Sequence, residues 1–94
     1  MGYWILEGTD IYTGHAGKIA TPYIYSDLVK ANIDKDYDVW LEDKDVDDYG
    51  FIDNPKGKGC IHAFMLYLIE KGILRKRDVA VYESVFWSEI TMYQ

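Results

Sequence analysis

Between Asp34 and Asp53 the chain sets nine carboxylates (Asp34, Asp36, Asp38, Glu42, Asp43, Asp45, Asp47, Asp48 and Asp53) against two bases, Lys35 and Lys44. Tyr37, Trp40 and Tyr49 are interleaved with them. Carboxylates in such a row can ligate a hard cation, imitate a row of phosphates, or simply keep a surface wet. Nine acids against two bases leave this segment at −7, and the remaining seven acids and eight bases sum to +1. The whole −6 of the 94-residue chain therefore resides in about a fifth of its length.

Cation binding is the most specific of the three chemistries and the first to fail. Asp43, Asp45 and Asp47 have the alternate spacing of a calcium loop. The sixth loop position, which needs glycine for its sharp turn, is Asp48, and the twelfth, which needs a bidentate Glu, is Asn54. A solvated acidic loop is the plainest reading, since charge runs usually do no more. The functional alternative is an interaction surface formed by Asp36, Asp38, Trp40, Glu42, Asp43, Asp45, Asp47, Asp48 and Tyr49. Its carboxylates would dock into a basic groove of a partner protein, one that ordinarily receives nucleic acid. The aromatic rings would supply the desolvated anchors. Small acidic inhibitors of nucleic-acid enzymes encoded by phages and mobile elements share this size and charge, an analogy of scale only.

The opposite charge gathers downstream, where Lys56, Lys58, Lys71, Arg75, Lys76 and Arg77 face Glu70 alone over residues 55–77. A chain with one acidic and one basic region can self-associate or orient toward a single partner, so a homo-oligomer is a second expectation. Direct nucleic-acid binding is disfavoured by the overall −6 and a pI near 4.7, because that affinity rests on neutralising phosphates.

Three further constellations bear on catalysis or metals. KGKGCIH (56–62) sets Cys60 behind two glycines and two lysines at an expected helix start. That environment lowers a thiol's pKa, and with His15 as base it sketches a small cysteine enzyme, the rival reading. A lone cysteine is more often core packing, and no oxyanion-hole motif accompanies it. Cys60, His62 and His15 could also be zinc ligands, but a C-x-H pair without a second pair is a poor match. GHAGKI (14–19) resembles a phosphate-binding loop only in its Gly-Lys step, because Tyr12 stands where a glycine is needed and Ile19 where Ser or Thr is needed. No motif for a cofactor or a metal is complete, and a non-enzymatic protein is expected.

The elements that would position these residues follow from composition and periodicity. With 49% hydrophobic and 28% charged residues the chain is globular in balance, and its length suits one domain. The single cysteine fits a reducing compartment, MGYWILEG lacks the basic start of a secretory leader, and no apolar run approaches ~20 residues. A cytoplasmic protein that does not enter membranes is expected. Tyr3 to Leu6 reads as a strand, and residues 8–20, with three glycines, as a loop or a loose hairpin. Thr21-Pro22 suits a helix start, with Ile24, Leu28 and Ala31 on its buried face and Asn32 at its end. Tyr37 to Leu41 alternates as a strand, 42–50 is the acidic loop, Phe51-Ile52 a short apolar return and 53–59 a turn. Residues 60–71 are predicted as the central core helix, ended by Gly72. Two strands are predicted near 79–83 and 86–92, although Val79, Tyr82, Phe86, Ile90 and Tyr93 are also spaced for a helix. The expected fold is α+β, with two helices packed on a mostly antiparallel sheet of about four to five strands.

Overall fold

The central strand β1, Tyr3–Asp10, organises the molecule. In the computed structural model, which describes residues 2–91 apart from the side chains of Asp78 and Val79, β1 pairs along one edge with β2 (Lys18–Ile19) and β3 (Tyr25–Ser26). Along its other edge it pairs antiparallel over its full length with β6, Tyr82–Ile90. A second antiparallel pair joins β4 (Phe51–Asp53) to β5 (Cys60–His62). Two helices, α1 (Asp27–Leu41) and α2 (Ala63–Glu70), complete an α+β fold of two small antiparallel sheets. Its Cα radius of gyration is 13.5 Å, close to the ~13 Å of a compact chain near 100 residues.

One core holds these layers together. α2 contributes the continuous run Ala63 to Leu68, all buried, and packs it against Leu6, Ile52, Ile61, Leu74, Tyr82 and Val85. Its end is the one expected: Gly72 adopts φ +75°, its amide reaches the Ile69 carbonyl at 3.0 Å, and the Ile73 amide reaches the Leu68 carbonyl at 2.8 Å. This is the left-handed Schellman closure for which glycine is preferred.

Several boundaries differ from the sequence reading, each for a traceable reason. The expected helix at 21–32 starts instead at Asp27, because Tyr25 and Ser26 are drawn into pairing with Trp4 and Tyr3. The Ser26 hydroxyl then caps the helix by accepting the Val29 amide at 3.2 Å. The helix does not end at Asn32. It runs on through Tyr37–Leu41, which is helix and not strand, since Ile33, Tyr37, Trp40 and Leu41 share a face at helical spacing and that face meets the core. The face through Ile24, Leu28 and Ala31 is exposed, Leu28 at 71%. Cys60–His62 belongs to β5, so α2 begins at Ala63. The two strands expected at 79–83 and 86–92 are one, β6, entered through a 3-10 turn at Lys76–Ala80; Met92 and Tyr93 lie outside the described residues.

Residues 8–20 form the hairpin of the two expected alternatives: β1 runs on to Asp10 and pairs antiparallel with β2 at Lys18–Ile19. β1 continues through Gly8, which sits under the ring of Tyr82, and the Tyr82 hydroxyl donates to the Ile19 carbonyl at 3.0 Å. An aromatic ring laid over a strand glycine restores the burial that the missing side chain forgoes. Among the described residues no helix is long and apolar enough to cross a membrane.

Candidate acidic interface

The acidic segment is built from two elements, the C-terminal half of α1 and the connection from α1 into β4. Its carboxylates divide sharply by what they touch. Asp34 accepts the Trp87 indole N–H at 2.8 Å and pairs with Lys30 at 2.6 Å. Asp36 accepts the Tyr67 hydroxyl at 2.7 Å and lies 3.3 Å from the Lys71 ammonium. The Tyr67 hydrogen bond, then Lys71, holds the Asp36 carboxyl below its ordinary value, and burial, reinforced by Asp36, pushes the Tyr67 phenol up. These two aspartates tie α1 to β6 and to α2.

The three tryptophans share one arrangement. Trp4 donates its indole N–H to Asp27 at 2.7 Å, Trp40 to Glu70 at 2.7 Å, and Trp87 to Asp34 at 2.8 Å. A lysine lies over each ring, Lys30 over Trp4 and Trp87 at 4.6 and 5.6 Å and Lys44 over Trp40 at 4.5 Å. Carboxylate at the N–H edge and ammonium on the π-face satisfy both polarities of an indole at a half-buried boundary. Part of the excess of acids is thereby structural, and Trp40 stands stacked on Tyr37 with its centroid 6.0 Å away, an element of the α1–α2 seam.

Asp47 is engaged locally. Its Oδ1 accepts the amides of Tyr49 and Phe51 at 2.8 and 2.9 Å, which turns the chain into β4. Asp43 pairs with Lys44 at 2.8 Å, and that ammonium holds its carboxyl below the ordinary range. What remains is a set of four exposed carboxylates, Asp38, Glu42, Asp45 and Asp48, with no hydrogen-bond or ion-pair partner among the described residues. Tyr49 stands beside them at 83% exposure.

Beside this set lies a groove that the linear sequence did not announce. Asp43, Asp45, Asp53 and Glu70, with Lys44 and Pro55, line a hollow of about 320 Å³ together with Ile52 and Leu66, Lys44 being paired with Asp43. Glu70 comes from α2, beyond the acidic segment, and Asp53 from β4. A helix and a hairpin distant in sequence thus bring four carboxylates and one ammonium around Ile52 and Leu66, a predominantly acidic lining suited to the aliphatic stem and cationic head of lysine or arginine.

The other candidates are separated by the fold. Cys60 is exposed on β5, two residues before the His62 cap of α2, so the thiol is not at a helix start. Its polar neighbour is the Asp53 carboxylate, 3.9 Å from the sulfur. His15 lies in the β1–β2 connection, and no hydrogen bond joins it to Cys60. His62 is half-buried against Phe51, its Nδ1 without a partner among the described residues, and burial pushes its pKa down. Among the described residues no three His, Cys, Asp or Glu side chains are grouped to hold one metal ion, which covers both the Cys60–His62–His15 set and the Asp43–Asp45–Asp47 spacing. No protein-family model matches the chain, and neither a curated protein nor a solved structure is significantly similar to it.

Proposed function

We propose that this is a non-enzymatic interaction protein, an inhibitor or regulator that binds the basic, nucleic-acid-handling surface of a partner protein through its acidic face. The observation that carries the reading is the division of the carboxylates. Asp34, Asp36 and Asp47 are engaged within the fold, whereas Asp38, Glu42, Asp45 and Asp48 are left exposed without partners among the described residues, beside a groove whose lining is predominantly acidic. Unpaired like charges this close along the chain repel one another, so they weaken the isolated protein slightly and favour a complex that neutralises them. A groove that ordinarily receives phosphates supplies lysine and arginine at matching density. Tyr49, exposed at the same turn, is positioned as the aromatic contact. Bound in this way, the protein would occupy the partner's nucleic-acid site and work inside the cell.

The test is capture of binding proteins from lysate at two salt concentrations, with duplex DNA added as competitor. Wild-type protein is expected to retain a basic protein that DNA displaces and that salt weakens, since surface charge is screened within ~8–10 Å at physiological ionic strength. The variant carrying Asp38→Asn, Glu42→Gln, Asp45→Asn and Asp48→Asn removes only carboxylates without partners, so it should fold normally and lose the capture. Equal capture by this variant would overturn the proposal.

A further inference from the structure

A second hollow, of opposite character, lies across Leu66 and Glu70 from the acidic groove. It measures about 340 Å³ and is floored by Ile61, Leu66 and Ile69, with Lys56, Lys76 and Asn54 at its rim. The volume falls at the lower end of small-molecule sites, which run from about 300 to 1,000 Å³. Ile61 and Leu66 belong to the close-packed buried core, and Ile69 lies half-buried against it.

The rim gives the ligand its sign. Neither the Lys56 nor the Lys76 ammonium has a hydrogen-bond or ion-pair partner among the described residues, although most other lysines near the core lie against a ring or a carboxylate. Among the described residues Glu70 is the one acid lining the hollow, and one of its carboxylate oxygens accepts the Trp40 indole N–H at 2.7 Å. Asn54 uses its Oδ1 on the Lys56 amide at 3.1 Å, leaving its NH₂ as a further donor. The polar groups lining the hollow are therefore two unpaired ammoniums and an amide against the single Glu70 carboxylate, a net positive set beside an apolar floor. The ammoniums and the amide arise from the β4–β5 hairpin and the 3-10 turn, which meet only in the folded chain.

We propose that this hollow binds a small amphipathic anion, an aliphatic or aromatic carboxylate. Its apolar part lies on Ile61, Leu66 and Ile69, and its carboxylate is met by Lys56 and Lys76. None of the exposed carboxylates Asp38, Glu42, Asp45 and Asp48 lines this site, although Leu66 and Glu70 line both hollows.

The experiment is a titration of the full chain with octanoate, octanol and octylamine, read by the ¹³C-methyl resonances of Ile61, Leu66 and Ile69. Octanoate is expected to shift these methyls saturably. Octanol, with the same chain and no charge, should bind at least about tenfold more weakly, and octylamine not detectably. Lys56→Glu and Lys76→Glu, both at solvent-facing rim positions, should each weaken octanoate by roughly tenfold or more while leaving the remaining methyl spectrum in place. Absence of saturable shifts at these three residues, equal binding of octanoate and octanol, or undiminished binding by both charge-reversed variants would overturn the proposal.

Discussion

Gly8→Ala tests the packing that joins the two longest strands. A methyl group built on Gly8 would stand 2.2 Å from Cδ1 and 2.6 Å from Cε1 of Tyr82, about an ångström inside the ~3.5 Å at which carbon atoms rest. The ring cannot yield freely, because Tyr82 is 7% exposed and its hydroxyl donates to the Ile19 carbonyl at 3.0 Å. Two outcomes bracket the cost. If the sheet flexes and the ring stays, overpacking costs about 1–3 kcal/mol. If the ring is expelled, its burial is lost, about 1.5–3 kcal/mol, together with ~1 kcal/mol for the hydrogen bond. Alanine recovers about 0.5–1 kcal/mol through its lower backbone entropy in a strand. The net is a loss of about 2 kcal/mol, or roughly 8–16 °C in Tm for a domain of this size. Urea unfolding followed by tryptophan fluorescence would measure it, with an unchanged slope marking an intact two-state transition. In a Tyr82→Ala background the same substitution should be neutral or stabilising, which gives a coupling of about 2 kcal/mol between the two sites. A Gly8→Ala protein as stable as its parent would refute the ring-over-glycine account.

Two further outcomes separate the structural carboxylates from the exposed ones. Asp47→Ala removes the acceptor for the Tyr49 and Phe51 amides and should cost about 1 kcal/mol in the urea midpoint. The neighbouring Asp48→Asn, which breaks no contact, should cost nothing; equal effects would show that the turn does not depend on Asp47. Stability should also fall with pH in two stages. Burial favours neutral His62, so below its ordinary 6.5 the unfolded chain takes up the proton first and the fold weakens as pH drops. Asp27, held low by the Gly2 amide and the Trp4 indole, and Asp36, held low by Tyr67 and Lys71, stabilise the fold above the ordinary 3.8. Their contribution disappears as pH falls through the depressed folded values. His62→Gln should flatten the upper stage alone, and a urea midpoint constant between pH 7 and 5 in the parent would contradict it.

Much of this protein is decided by order along the chain. The apolar run after Cys60 with Gly72 behind it determines a buried helix and its Schellman end, because both depend on residues within a few positions of one another. The localisation of negative charge at 34–53 is likewise a property of sequence alone. Tertiary structure decided the rest. Tyr37–Leu41 alternates like a strand and also spaces its apolar residues like a helix, and only contact with Phe64 and Tyr67 selects the helix. Gly8 reads as part of a loop or loose hairpin until Tyr82, far away in sequence, is laid over it. The same holds for the acids. Their number is legible in order, but which are spent on the indoles of Trp4, Trp40 and Trp87, and which remain unpaired, depends on partners up to 53 residues apart. Carboxylates are chemically alike along the chain, and the fold distinguishes them by placing a donor beside some and only water beside the others.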